Sequence, residues 1–327
     1  MLLNRRSFMS LSSSLALALA AGRAGARTFS PETKLIVADQ SELIRNLLAA
    51  TGEDAALPFE LELPNFAGGP AILEAIRAGA LDAAYVGDTP PIQARASGTL
   101  LPIIATFTRQ VAQYRLVSRP GLVVERLSDL KGLKLSYVEG SGRQVFLIEA
   151  LNRGGIALDE VDLVPLRVAD LPDAIRSSAV DVAVLTEPHV TRLRNQIGAT
   201  PVQDPVERKL LPSTSYIYAR PEVLEDPEKA AALEMFLPAF IRAGSWSNSH
   251  SAEWGDFYYT GFQRIAPEDT QAILDSLSPL VFQTSSEAIA HHQKLIDTLY
   301  QAGTLPEHFD AAGSFSDRFD PLIAETR

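Results

Sequence analysis

Residues 68–91 pack the signals of a helix, a strand and a second helix start into one stretch. Pro70 suits a first helical turn and Gly79 a helix C-cap. Residues 82–86 read as a buried strand, and Asp88 with Pro90 and Pro91 opens the next helix. A strand end flanked by two helix N-termini belongs to an open α/β sheet. Ligands bind at such strand ends, and the outward-pointing N–H groups of helix starts favour anions there.

The same unit occurs twice. Ala75-Ile76-Arg77, Ala80, Asp82 and Ala84 recur as Ala174-Ile175-Arg176, Ala179, Asp181 and Ala183, and each strand is followed by an acid and a proline, Asp88 to Pro90 and Glu187-Pro188. One helix-strand-turn unit in each half predicts two similar α/β lobes facing each other across a cleft.

The remaining pattern fits this division. Strands are expected at 34–38 and 59–63, with a helix capped by Ser41 between them, and at 101–108 and 113–118. A second set follows: a strand at 134–138, a helix at 141–152 ended by Gly154-Gly155, a strand at 162–166, a helix at 170–178 and a strand at 180–185. Residues 213–219 read as a return strand, and from Pro227 onward the pattern is helical. With about 300 mature residues and 46% apolar composition, one large or two medium domains can be supported.

Arg5-Arg6, the apolar run 11–21 and Ala24-Gly25-Ala26 have the order of an export signal, and the paired arginines point to the twin-arginine route. Residues 1–26 are therefore expected to be removed. They carry three arginines and no acid, so the formal charge moves from −11 to −14. No other segment approaches the ~20 apolar residues of a membrane span. Cysteine is absent, which excludes disulfides, thiolate metal sites, cysteine nucleophiles and a lipid anchor through an N-terminal cysteine. A released protein retained by an outer envelope is expected in the periplasm. An acidic chain with no basic patch does not invite nucleic acid.

The Gly-Pro helix at 69–70, with its following strand ending in Gly87-Asp88-Thr89-Pro90-Pro91, resembles the aliphatic sulfonate, taurine and nitrate group of solute-binding proteins that serve ABC importers. Arg119-Pro120-Gly121, residues 127–132, Arg220-Pro221 and residues 300–306 resemble further landmarks of that family. The resemblance implies a two-lobed periplasmic-binding-protein type II fold, each lobe a mixed sheet flanked by helices, with a ligand cleft between. It implies a first lobe at 30–117 continued by 213–327, a second lobe at 118–212, a monomer, a permease in the inner membrane as partner, and no cofactor. The same fold hosts a few enzymes, sulfinate desulfinases and thiamin-pyrimidine synthases among them, which use cysteines this chain lacks.

Candidate ligand contacts lie at strand ends. Ser41 reads as a helix cap, whereas Gln40 before it stands where the resembling family often has a polar ligand contact. Gly68 and Gly69 let backbone approach a ligand or simply turn the chain. Asp88 reads first as an N-cap, and Thr89 offers an N–H and a hydroxyl. Ser141, Gly142 and Arg143 start a helix after a strand, a natural anion nest in which a guanidinium grips a sulfonate or carboxylate bidentately. Glu187 either meets a ligand ammonium or caps the next helix, and Thr186 stands where many relatives have an aromatic. Thr108-Arg109, at the crossing between lobes, read as pocket or hinge, and Tyr216 and Trp246 as cleft walls or core aromatics. His291-His292 point to different helix faces and the other histidines are scattered, so no metal site is expected. The rival reading is a hydrolase or lyase using Arg143, Glu187 and Ser141. Taurine, nitrate or an organic acid are alternative solutes.

Overall fold

The computed structural model describes residues 29–327, so the expected export signal lies outside the described residues. Twelve strands run in chain order: β1 (Lys34–Gln40), β2 (Glu60–Glu62), β3 (Asn65–Phe66), β4 (Ala83–Gly87), β5 (Ile103–Arg109), β6 (Arg115–Ser118), β7 (Lys134–Tyr137), β8 (Asp162–Pro165), β9 (Val182–Leu185), β10 (Thr200–Pro201), β11 (Ser213–Ala219) and β12 (Val281–Gln283). They form two mixed sheets. One has the order β12-β5-β11-β4-β1-β2 with β3 beside β1, and the other β10-β6-β9-β7-β8.

The sequence repeat is a repeat of sheet position. The helix Gly69–Arg77 leads into β4, and the helix Leu171–Arg176 leads into β9. Each of these strands lies between a parallel strand of its own half, β1 or β7, and an antiparallel strand, β11 or β6, that brings the chain from the other sheet. The repeated aspartates start both strands. Asp82 Oδ2 accepts from the N–H of Ile36 at 2.9 Å and from Lys229 Nζ at 2.6 Å, with Arg220 3.6 Å from Oδ1. Asp181 accepts from the N–H of Lys134 at 3.0 Å and from Arg119 Nε at 2.9 Å.

Three elements differ from expectation. The strand β6, placed by sequence at the end of the first lobe, pairs with β9 and belongs to the second sheet. The C-terminal segment assigned wholly to the first lobe also divides: Leu295, Ile296 and Leu299 of the helix Ser285–Gln301 join the second sheet's core with Val145 and Phe146. Ser41 is not a cap. The helix begins at Leu43, Ser41 and Glu42 are both left-handed (φ 57° and 52°), and the buried Asp39 takes the backbone donors instead, from Gln40 at 2.7 Å and Arg45 at 3.0 Å. A carboxylate one residue before Gln40 reaches these amides, and a cap at Ser41 is superseded.

Around the first sheet, Phe240 meets Phe107 and Phe282 edge to face at 5.2 and 5.6 Å, pairs worth about 0.5–1.5 kcal/mol each beyond their burial, and Phe107 lies tilted against Phe282 at 5.8 Å. In the second lobe the helix Gly142–Gly154 is pressed against the turn Leu127–Leu130. A Cβ on Gly154 would lie 2.8 Å from the carbonyl oxygen of Leu127, which is backbone and cannot swing aside. Replacing a helical glycine by alanine ordinarily stabilises by about 0.5–1 kcal/mol. Here Gly154→Ala should destabilise by roughly 1–3 kcal/mol, the range for overpacking. Urea denaturation decides the sign: a raised midpoint would show that this contact yields.

Candidate functional site

The carboxyl ends of strands from both sheets face a cavity of about 320 Å³ between the lobes. Its first-lobe wall comes from Gln40 and Ser41 after β1, Gly68 and Gly69, Tyr85 and Gly87 of β4, and Phe107 and Arg109 of β5. Its second-lobe wall comes from Ser141, Gly142 and Arg143 at a helix start, Thr186 to His189 after β9, and Arg192. Trp254, Tyr258, Tyr259 and Gln263 close one side. Tyr258 and Tyr259 sit in a π-helical stretch, Gly255–Phe262. Such wide turns occur mostly as local insertions and often at functional sites.

Arg143 stands out by what it lacks. Its Nη2 is 3.4 Å from Thr186 Oγ1, its guanidinium carbon lies 5.4 Å from the centroid of the Tyr114 ring, and its buried Nε has no hydrogen-bond partner. Burial pulls its pKa below the usual guanidinium value, with Tyr114 acting the other way. Much of the surrounding helix start is already satisfied from within. Ser141 Oγ accepts from the N–H of Arg143 at 3.3 Å and donates to the Val138 carbonyl at 2.7 Å, while Gln144 Oε1 accepts from the N–H of Gly140 at 2.8 Å. The expected nest of hydroxyl and amides is thus reduced mainly to a guanidinium seeking an acceptor, since buried polar groups without partners are uncommon and costly.

Seven of the sequence-selected residues line this cavity: Gln40, Gly68, Gly69, Ser141, Gly142, Arg143 and Glu187. Gln40 is partly engaged, its Nε2 donating to the Tyr85 carbonyl at 3.1 Å. The glycines also serve packing. A Cβ on Gly69 would lie 2.3 Å from Pro90, and one on Gly142 2.6 Å from the Tyr114 hydroxyl and 2.9 Å from Asp88 Oδ1. Glu187 caps: its oxygens accept from the N–H and hydroxyl of Thr191 at 3.1 and 3.2 Å.

The other five lie elsewhere. Asp88 is buried behind the cleft wall and makes no side-chain cap. It accepts from the Thr89 hydroxyl at 3.1 Å and stands 3.5 Å from His291 Nε2, so Thr89, the N-cap residue, turns its hydroxyl to Asp88. Thr108 pairs with the Thr214 hydroxyl at 3.1 Å across two strands. Tyr216 points to the opposite face of its sheet and meets His292 Nδ1 at 3.1 Å, and Trp246 stacks on His250. Arg109, named beside Thr108 as pocket or hinge, does line the cavity, whereas sequence reasoning passed over Tyr85, Tyr114, Tyr258, Tyr259, Arg192 and Arg208. The aromatic-dense run 254–262 was a visible signal for the tyrosines near its centre. The arginines carried none, because their meeting is made by the tertiary fold.

The electrostatics of the wall are one-sided. Arg115 is neutralised by Glu207 at 2.6 Å, but Arg109, Arg143, Arg192 and Arg208 have no carboxylate within ion-pairing distance among the described residues. Arg109 donates to the Ser278 carbonyl, Arg192 to that of Gln263 and Arg208 to that of Ser276. Glu187 is the carboxylate among the lining residues. Burial, with Arg192 and Arg143 nearby, holds His189 below its ordinary pKa, so it adds no cation at neutral pH. Among the described residues no group of His, Asp and Glu is placed to hold a metal ion, and no helix is long and apolar enough to cross a membrane.

A model of the NMT1-like family matches residues 31–254. A protein of Escherichia coli (strain K12) named for aliphatic sulfonate binding is 24% identical over 246 residues, 75% of this chain and 76% of its own. Among solved structures, the alkanesulfonate-binding protein SsuA from Xanthomonas axonopodis pv. citri, bound to MOPS, matches with a TM-score of 0.77 at 18% identity, over 88% of this chain and 99% of that one. The periplasmic aliphatic sulphonate binding protein SsuA from Escherichia coli gives 0.74 at 22%, over 88% and 92%. The desulfurization enzyme DszB shares the fold at 0.63 and 16%, over 90% and 99%. These likenesses establish a two-lobed periplasmic-binding-protein fold.

Asp39 allows a test at the cleft that needs no ligand. Burial raises its carboxyl from 3.8 to about 6, against the lowering effect of the amides it accepts from. The folded state therefore favours the protonated form. The associated stability is present below about pH 4, and it is lost as pH rises through about 6, amounting to ~3 kcal/mol by pH 7. Relative to the wild type, Asp39→Asn should gain about that much between pH 4 and pH 7 in urea denaturation. Parallel profiles for the two proteins would place the Asp39 carboxyl back in the ordinary range.

Proposed function

The chain belongs to the NMT1-like family, and on that premise we propose that it is the solute-binding component of an ABC importer, closing its two lobes on a small organic anion, foremost a sulfonate. The observation that carries this reading is Arg143, a cleft guanidinium with a buried, unpartnered Nε beside the Thr186 hydroxyl. A sulfonate oxygen is the kind of acceptor it lacks, and a planar guanidinium grips such a group through two parallel bonds. The names of the Escherichia coli and Xanthomonas relatives point to the same chemistry.

The periplasm is the proposed location. The leader-like residues 1–26 and the periplasmic location of the Escherichia coli SsuA support it, and a permease in the inner membrane is the corresponding partner. The chain acts as a monomer in this reading. Catalysis has less support. Ser141 is held between Val138 and Arg143, Glu187 is spent on Thr191, and the chain has no cysteine. Among the described residues lining the cleft, no base stands at a nucleophile. We further assign the ligand contacts to Gln40, Gly68, Gly69, Arg143 and Thr186, with the tyrosines as walls.

A thermal-shift screen of sulfonates, carboxylates and amines tests the solute class. A true ligand at a hundred times its dissociation constant stabilises by about 2.7 kcal/mol. Amines that stabilise while every sulfonate and carboxylate is silent would overturn the reading. For the sulfonate the screen selects, calorimetry on Arg143→Ala should show a loss of roughly 1.5–3 kcal/mol, and Arg143→Lys should restore part of it. Unchanged affinity in Arg143→Ala would remove the residue from the site.

A further inference from the structure

We infer that the solute carries two acidic groups at opposite ends of a flat, apolar body, one group held by Arg143 on the second lobe and the other by Arg109 on the first. This rests on the reading of the cleft as an organic-anion site and narrows its substrate class. The first ground is charge. Of five lining guanidiniums only Arg115 has a carboxylate partner, and each of the other four finds a neutral acceptor: the Ser278, Gln263 and Ser276 carbonyls and the Thr186 hydroxyl. A lone sulfonate would neutralise one of them and leave the rest in a partly desolvated cleft, where unpaired charge is expensive.

The second ground is placement. Arg109 ends β5 in one lobe, and Arg143 starts a helix in the other. Aromatic residues line the cavity beside both. Tyr85 stacks on Phe107 at 5.2 Å, and Trp254 stacks on Tyr258 at 4.6 Å. The Tyr114 ring centroid lies 5.4 Å from the Arg143 guanidinium carbon, and Tyr85 and Tyr259 stand close enough to Arg109 to act on its titration. Aromatic walls of this kind suit a ring, while the guanidiniums suit the acids at its ends. Size agrees. At about 320 Å³ the cavity lies at the lower end of the range for organic ligands, and an ion of a few atoms would leave most of it empty.

The test compares benzenesulfonate, para-sulfobenzoate and para-sulfobenzamide by calorimetry on the purified protein at low salt. The amide keeps the shape of the carboxylate and removes its charge. The carboxylate should bind about tenfold tighter than the amide, or more, as one added charge-assisted contact implies. Arg109→Gln should bring this ratio close to one, and Arg109→Lys should retain most of it. Equal binding of carboxylate and amide by the wild-type protein, with both measurable, overturns the two-acid inference and leaves the anion-site reading standing. A ratio that survives Arg109→Gln overturns the role of Arg109. Failure of all three compounds to bind, with amines binding instead, removes the anion-site reading and this inference with it.

Discussion

In each lobe a single aspartate fastens the three central strands, and the position of the site depends on it. Asp82 starts β4, takes the N–H of Ile36 on β1 and holds Arg220 at the end of β11. Asp181 starts β9, takes the N–H of Lys134 at the start of β7 and holds Arg119 at the end of β6. The main chain repeats the bond in both cases, Arg220 donating to the Asp82 carbonyl at 3.1 Å and Arg119 to that of Asp181 at 2.9 Å. A one-residue slip would turn every side chain of a strand to the other face. Pinning three strands at one end therefore fixes the register at the other end, where Gln40, Gly87, Val138 and Thr186 meet the cleft. The Asp181 carboxyl is held below its usual range, first by the Lys134 amide and also by Arg119, so this clamp stays ionised at neutral pH.

The acidic chain contrasts with the cleft it encloses. Long-range potential from a formal net charge of −11 repels an anion, and salt screens exposed charges within about 8–10 Å. A cleft that takes anions must then act locally, through cations placed where water and salt are excluded. Arg143 and Arg109 meet that condition, both lowered by burial and both without a carboxylate partner among the described residues. Glu187 could have neutralised the cleft but is turned to Thr191.

The repeat, the helix-strand-turn unit and the strand ends were legible because they follow from local periodicity and from punctuation by Gly, Pro and Asp. Arg143 was legible for the same reason, as the first turn of a helix after a strand. Residues whose role depends on tertiary direction were not. Tyr216 and Thr108 lie on strands that reach the cleft, but strand alternation and cross-strand partners turn them into the core. Asp88 looked like a cap from its place before two prolines, yet it is drawn into a buried pocket with Thr89 and His291. Arg109, Arg192 and Arg208 meet from three distant segments, which no window of sequence contains. The strap of the C-terminal helix onto the second lobe is equally non-local, since its apolar stripe does not say which core it faces.

Across the cleft mouth the lobes are joined by few contacts. Asn195 Nδ2 donates to both oxygens of Asp269 at 2.8 and 2.7 Å, Arg194 stands 4.0 Å from the same carboxylate, and Arg192 and Arg208 reach carbonyls on the opposite side. The exposed pairs among these, those to Asp269, are worth about 0–1 kcal/mol each. A rim held so lightly does not lock the lobes by itself. The balance between open and closed forms then rests with whatever fills the cleft, and a solute shifts that balance only by its differential affinity for the closed form. Arg109 and Arg143 sit on different lobes, so an occupant that engages both makes its second contact only when the lobes approach. The energy of that second contact goes into closure, the step through which a binding protein would signal that it is loaded.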